Sequence, residues 1–313
     1  MNKETSMDNV KKQTPLTIAQ FDKTELLRLY RLLKLGRALD NRAPNYLKQA
    51  IGWSYHAPCA GHDAIQLAIG QIFDRNEDHF FPYYRDLQAT LSAGMTAEEI
   101  ILNGISRATD KASGGRHMSN HFAKPEWNIH NVSSCTGNHT LHAVGVARAM
   151  KKYNKTGVAI SSQGESSVSE GYCYEAINGA DNEKLPVIFV FQDNGYGISV
   201  PKCDQTNNEK VADNFIGFKN TTIIYCDGKD VFDSLSAMKR AKEIIKNGKG
   251  PVIIHADCVR MGSHSNSDKH ELYRDEKERA DAIAQDPILK FEKELLSVGA
   301  LSKVMIEKID EEI

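Results

Sequence analysis

Between residues 158 and 196 the chain carries two apolar runs, each followed by a short polar elbow, with a helical stretch between them. Residues 158–160 and 187–191 are continuous apolar runs bounded by polar or turn residues, the pattern of strands buried on both faces. A strand, a helix and a second strand imply a right-handed crossover, which makes the two strands parallel. Glu165 and Asn194 then leave the carboxyl ends of neighbouring strands, the edge at which open α/β sheets bind ligands.

The alternation continues with a strand at 222–226, a helix at 231–245 and a strand at 252–256. Towards the amino terminus the pattern is helical. Asp22 caps a helix that carries Leu26, Leu29, Tyr30 and Leu33 on one face, with Glu25 in the capping-box place. Further helices are predicted at 60–72, 86–92, 97–104, 141–153, 287–296 and 302–313. Strands separated by helices predict an α/β fold, a doubly wound parallel sheet with helices on both faces. A chain of 313 residues can bury roughly three quarters of its unfolded surface. One domain over residues 22–313 is therefore expected, preceded by a polar, flexible tail over 1–21.

The elbows carry the chemistry. Glu165 supplies a carboxylate and Asn194 an amide oxygen, hard ligands that suit a magnesium ion sharing its coordination with phosphate oxygens and water. Ser167 and Glu170 have capping-box spacing, so the helix after Gly164 would offer free N–H groups to an anion. Taken alone, Gly-Glu-Ser can be a simple cap and Asn-Gly a simple turn. The whole stretch nevertheless resembles the thiamine diphosphate motif of the α subunits of 2-oxo acid dehydrogenases, the decarboxylating first components of those complexes. The usual motif begins Gly-Asp-Gly and ends Asn-Asn, whereas here it reads Gly164-Glu165-Ser166 and Asp193-Asn194. Glu165 is similar to the branched-chain members, and Ser166 departs from both branched-chain and pyruvate types.

Other strings extend the resemblance over about residues 26–296. Tyr84 and Arg85 resemble a Tyr-Arg pair that holds the diphosphate, a place suited to the planar fork of arginine. Gly262-Ser263-His264-Ser265-Asn266-Ser267-Asp268, followed by Tyr273-Arg274, resembles the family's histidine loop. The resemblance implies that His264 reaches the cofactor, and a near-neutral pKa would suit proton delivery. Gly115-Arg116-His117-Met118-Ser119-Asn120-His121 resembles Gly-Arg-x-Met-x-x-His, which selects His121 as the residue facing the substrate. A zinc site built from His117, His121, His130, Cys135 and His139 is the competing reading. No Cys-x-x-Cys or His-Glu-x-x-His spacing supports it.

The resemblance further implies that magnesium is held by Glu165, Asn194 and the Tyr196 carbonyl. The cofactor would be lined by Ser134, Thr136, Gly164, Ser166 and Ser167 in addition to Tyr84, Arg85 and His264. Asn138 and His139 stand where branched-chain members use Thr and Gln near a monovalent cation, which argues against that cation. Gln192 stands where a branched-chain arginine meets the diphosphate, so less positive charge is expected there. Nothing resembles the pattern of the β chain, which in this family supplies the glutamate that activates thiamine. A β subunit or fused β half is therefore implied, in an α2β2 assembly or a dimer of fused chains, together with a lipoyl-bearing acyltransferase. The chain stops on Asp-Glu-Glu-Ile without an obvious cap, and both a natural end and the junction of a longer fused polypeptide fit that stop.

The implied activity is oxidative decarboxylation of a branched-chain 2-oxo acid or pyruvate, with acyl transfer to lipoyl. An acetoin-type dehydrogenase and a non-catalytic assembly subunit are the alternatives. A formal charge of −2, without a basic stripe, argues against nucleic acid. No apolar run approaches the roughly 20 residues of a membrane span. The polar start, with Glu4 and Asp8, is unlike a signal or transit peptide, so a cytoplasmic protein is expected. Six scattered cysteines point to free thiols rather than a disulfide framework.

Overall fold

The computed structural model describes residues 15–313. Its strands are β1 (His79–Phe81), β2 (Ala159–Gly164), β3 (Val187–Asp193), β4 (Tyr196–Gly197), β5 (Val200–Pro201), β6 (Thr222–Asp227) and β7 (Val252–Asp257). Five of them form one parallel sheet in the order β1-β2-β3-β7-β6, while β4 and β5 make a small antiparallel hairpin. The helices before β2 are α1 (Lys23–Lys48), α2 (Asp63–Ile72), α3 (Leu87–Ser92), α4 (Ala97–Gly104) and α5 (His139–Lys152). After it come α6 (Gly171–Glu183), α7 (Lys202–Gln205), α8 (Val231–Lys246), α9 (Glu276–Ala284), α10 (Pro287–Ser297) and α11 (Lys303–Glu312).

Strand alternation divides the apolar core into two halves. On β3, Ile188 and Val190 face a large cluster shared with α1, α2, α8 and α10. Val187, Phe189 and Phe191 face the opposite cluster with α5 and α6. Both faces of the sheet are thus covered, the requirement that a parallel sheet imposes.

Strand β2 runs four residues beyond its apolar start, through the buried Ser161, Ser162 and Gln163 to Gly164. Buried polar groups are tolerated where they are bonded, as at Ser162 and Gln163, whereas Ser161 Oγ has no partner. The Ser162 carbonyl accepts from His139 Nε2 at 2.8 Å, and Gln163 Oε1 accepts from the Thr140 hydroxyl at 2.8 Å. Strand β1 carries no signal in the sequence, because three residues give no periodicity. It pairs Phe80 with Ile160 at the sheet edge and delivers residues 82–86 to the carboxyl end.

The stretch after Gly164 departs from the expected capped helix. Residues Ser166–Ser169 form a 3-10 turn, and α6 starts only at Gly171, where Glu170 caps by backbone position without a side-chain bond. The Ser167–Glu170 capping box does not form, and the dipole of α6 starts one turn away from the elbow.

Of the predicted tail, residues 1–14 lie outside the described residues. From Pro15 the chain lies against the body: the Leu16 N–H donates to Ser236 Oγ at 2.7 Å, and the Phe21 and Phe232 ring centroids are 5.3 Å apart. Leu16, Ile18 and Phe21 cover the edge of the larger cluster, which gives this segment a reason to order. Asp22 caps α1 as predicted, by accepting from the Glu25 N–H, but the Glu25 carboxylate turns to Arg28 instead of closing the capping box.

Candidate active site

Four strands of the sheet empty their carboxyl ends into one cavity of about 620 Å³. Registers Gly164–Gln192 and Gln192–Ala256 bring β2, β3 and β7 to a common level, so the residues that follow them meet. All twelve residues singled out in the sequence line this cavity. Tyr84 and Arg85 enter after β1, the run from Gly164 to Ser167 after β2, Asn194 and Tyr196 after β3, and His264 after β7. His121, Ser134 and Thr136 come from the long connection before α5.

Glu165 is 1% exposed. Its Oε2 accepts from the Asn194 N–H at 3.2 Å and its Oε1 from the Ser166 hydroxyl at 3.1 Å. Burial, and then the Asp193 carboxylate, push its pKa up to about 7. Neighbouring buried carboxylates are the arrangement that a divalent cation relieves. Ser166, the departure noted in the sequence, fits because residue 197 is glycine: a Cβ there would stand 2.4 Å from Ser166 Oγ.

Of the two buried arginines near the cavity, Arg85 lines it and Arg260 lies behind the lining. Arg85 is 2% exposed, donating from Nη1 to the Pro58 carbonyl at 2.8 Å and from Nη2 to His264 Nδ1 at 3.2 Å. Arg260, which the sequence reading passed over, is 1% exposed and donates only from Nη2, to the Tyr273 hydroxyl at 2.6 Å. Its Nε and Nη1 have no partner. The guanidinium lies over the Tyr196 and Tyr273 rings, with its carbon 5.3 and 5.7 Å from their centroids. A buried guanidinium with free donors is a place for an anion. The signal available in the sequence was a cation just past the end of an apolar strand, four residues before His264.

Burial, then Arg85 and Arg260, hold His264 down to about 3, which corrects the near-neutral value expected from the sequence. Because Nδ1 accepts from Arg85, the neutral ring carries its proton on Nε2, so His264 is a hydrogen-bond donor rather than a protonated acid. His121 is also lowered, chiefly by burial. Its Nδ1 donates to the Ser119 carbonyl at 3.2 Å, which leaves Nε2 to accept from the Ser134 hydroxyl at 2.9 Å.

Gln192 is not at the cavity wall. It is fully buried, with Nε2 donating to Asp86 Oδ1 at 2.7 Å and to Ser162 Oγ at 2.8 Å. The neutral Gln192 amide is employed inside the protein and brings no positive charge to the cavity. Tyr55 and Met118 also line the cavity, as do the half-exposed Ile198 and Val200 at the β4–β5 hairpin. No group of three or more potential metal-ligating His, Cys, Asp or Glu residues occurs among the described residues. All six cysteines are free. No helix among the described residues is long and apolar enough to cross a membrane.

Comparison with known proteins gives a consistent picture. The model of the dehydrogenase E1 component family matches residues 30–313. The 2-oxoisovalerate dehydrogenase subunit alpha of Bacillus subtilis is 34% identical over 289 residues, which span 92% of this chain and 87% of that protein. The pyruvate dehydrogenase E1 component subunit alpha of Staphylococcus aureus is 33% identical over 277 residues, 88% of this chain and 71% of that protein. The corresponding pyruvate dehydrogenase subunit of Acholeplasma laidlawii is 29% identical over 294 residues, 93% of this chain and 81% of that protein.

Proposed function

The chain belongs to the dehydrogenase E1 component family, and on that premise we propose that it binds magnesium and thiamine diphosphate as the α subunit of a 2-oxo acid dehydrogenase. The observation that carries the reading is the polarity of the cavity. The buried Glu165 carboxyl lines the cavity, as does the buried Arg85 guanidinium, and Arg260, with Nε and Nη1 unbonded, lies behind the lining against the Tyr196 ring. A metal diphosphate supplies counter-charges of both signs at once.

The residues present fit that group. Glu165, Asn194 and the Tyr196 carbonyl would hold the cation. Arg85 and Tyr84 would hold the diphosphate, with Arg260 adding its charge from behind the lining, and Gly164, Ser166, Ser167, Ser134 and Thr136 would line the remainder. Thiamine diphosphate, when bound, supplies the nucleophile and electron sink for loss of carbon dioxide from a 2-oxo acid.

The chain's own residues then position and donate. His264 presents its Nε2–H as a donor to a developing negative charge. His121 is held in one orientation by Ser119 and Ser134, and Tyr55 and Tyr84 pack edge to face with ring centroids 5.7 Å apart. The activating carboxylate would come from a β subunit or fused β half, in an α2β2 assembly or its fused equivalent. A lipoyl-bearing acyltransferase would accept the acyl group, and the compartment would be the cytoplasm.

The substrate proposed is a branched-chain 2-oxo acid or pyruvate, after the activities for which the relatives are named. Calorimetric titration of thiamine diphosphate with Mg²⁺, on the chain alone and with its partner, tests the cofactor reading. Magnesium-dependent binding that tightens with the partner is expected; no binding by the assembled protein would leave an assembly role instead. Turnover of pyruvate, branched 2-oxo acids and acetoin by the complete complex then distinguishes the substrates.

A further inference from the structure

His62 lies beneath the cation pole, fully buried, at the start of α2. It is brought there by a close backbone approach. Gly61 has φ +95°, and a Cβ on it would stand 1.8 Å from the Val259 carbonyl oxygen, so the turn before α2 can press against the exit of β7 only with glycine at that place. The His62 ring then bridges Gln192 Oε1, 2.9 Å from Nδ1, and Asn194 Nδ2, 3.3 Å from Nε2.

The directions of these bonds follow from a main-chain anchor. Gln66 Nε2 donates to the Arg85 carbonyl at 3.1 Å, an acceptor that cannot change roles, and the same nitrogen donates to Gln192 Oε1 at 3.0 Å. Gln192 Oε1 is therefore an acceptor, and its Nε2 is occupied as a donor to Asp86 and Ser162. The proton must sit on His62 Nδ1, leaving Nε2 as a lone pair for the Asn194 amide nitrogen. With that nitrogen turned into the protein, Asn194 Oδ1 faces the other way. There it accepts from the Tyr196 N–H at 3.2 Å and retains a second lone pair.

We propose that His62 is a positioning residue for the cation site: the relay Arg85 carbonyl, Gln66, Gln192, His62 fixes the Asn194 amide with its oxygen available to a divalent cation. The proposal rests on the reading of Asn194 as a cation ligand. Outer partners of metal ligands act in this way, and their loss weakens metal binding by roughly ten- to a hundredfold.

The test is Mn²⁺ binding, followed by electron paramagnetic resonance, to the complex of the chain with its partner subunit in the presence of thiamine diphosphate. His62→Leu removes the acceptor and is expected to weaken Mn²⁺ binding about ten- to a hundredfold. His62→Gln is expected to restore it to within about threefold, because an amide can donate to Gln192 and accept from Asn194 at once. Unchanged Mn²⁺ affinity in a folded His62→Leu protein overturns the relay while leaving the cofactor reading intact. A wild-type complex that binds no Mn²⁺ removes the cofactor reading, and the proposal with it. If His62→Leu does not fold, nitrogen NMR of the histidine-labelled wild-type chain decides, with the His62 signals assigned from their loss in His62→Gln. The Nδ1–H tautomer supports the relay; the Nε2–H tautomer or an imidazolium overturns it.

Discussion

The two poles of the cavity are built differently. At the cation pole nearly every polar atom is already bonded within the protein: Glu165 accepts from Ser166 and Asn194, and Asn194 bonds His62 and Tyr196. At the anion pole Arg85 is bonded on two of its nitrogens, but Arg260 leaves Nε and Nη1 without partners. One pole is thus pre-formed, with its strain electrostatic, a carboxyl held up to about 7 by burial and by Asp193. The other is incomplete, with its strain in unmet hydrogen bonds. A site of this kind binds its ligand by relieving costs already present in the free protein.

The sharpest way to break that contrast is Glu165→Gln. It removes the charge that calls for a cation while keeping size and hydrogen-bonding capacity. Magnesium-dependent binding of thiamine diphosphate is expected to weaken on the order of 100-fold or more, beyond the loss of an outer partner, with the thermal midpoint of the cofactor-free protein unchanged or raised. Calorimetry and a melting scan on the same preparation check both halves. A fall in midpoint with intact binding would mean that Glu165 is a structural carboxyl.

Arg260→Met probes the other pole. The apolar stem is kept, and the unpaired guanidinium is lost. Diphosphate affinity is expected to fall on the order of tenfold, and cofactor-free stability to hold or rise, since a buried donor without a partner costs about 1–3 kcal/mol. A strongly lowered melting midpoint without cofactor would show that stacking on Tyr196 and Tyr273 outweighs the missing bonds.

How much of this was legible in the sequence follows the same division. The elbow could be read because its ligands lie directly at the ends of apolar strands, where local pattern fixes both position and chemistry. Helix α4 matched residue for residue, because Thr96 and Glu99 form a full capping box. The end of β2 was not legible, since Ser161, Ser162 and Gln163 look like loop until His139 and Thr140 arrive from α5 to bond Ser162 and Gln163. Arg260 and His62 were missed for the same reason. Each depends on partners far away in sequence, and neither has a local pattern that separates it from a solvated cation or a helix-cap histidine. Gln192 could be read only as a missing charge; that its amide turns inward to Asp86 and Ser162 depends on residues distant in sequence.

His264 offers a smaller, more quantitative test of the incomplete pole. Its pKa is held down to about 3 by burial and by the charges of Arg85 and Arg260. An anion beside Arg85 offsets part of that field, so adding magnesium and thiamine diphosphate is expected to move the pKa upward, towards its ordinary value of about 6.5. Histidine NMR with and without cofactor reads that shift directly. No change on saturation would place the diphosphate away from this wall.

The smallest expected effect concerns the strand that carries the cation pole. His139 is buried, donates from Nε2 to the Ser162 carbonyl, and is lowered to about 4, chiefly by burial. Its folded-state pKa lies below the unfolded value of about 6.5, so the unfolded chain takes up the proton first. The stability tied to its neutral form is present above about pH 6.5 and is lost as pH falls from there towards 4. Asp86 and Glu165, both raised to about 7, act in the opposite sense over much of that range, so the total stability is a poor readout. The difference between wild type and His139→Gln isolates the histidine, since the amide can still donate to Ser162 but cannot titrate. Denaturant unfolding at pH 7 and pH 4 is expected to show wild type losing on the order of 3 kcal/mol relative to the variant. A difference independent of pH would mean that water reaches the ring, and that β2 is held by the bond of Gln163 to Thr140 rather than by the bond of Ser162 to His139.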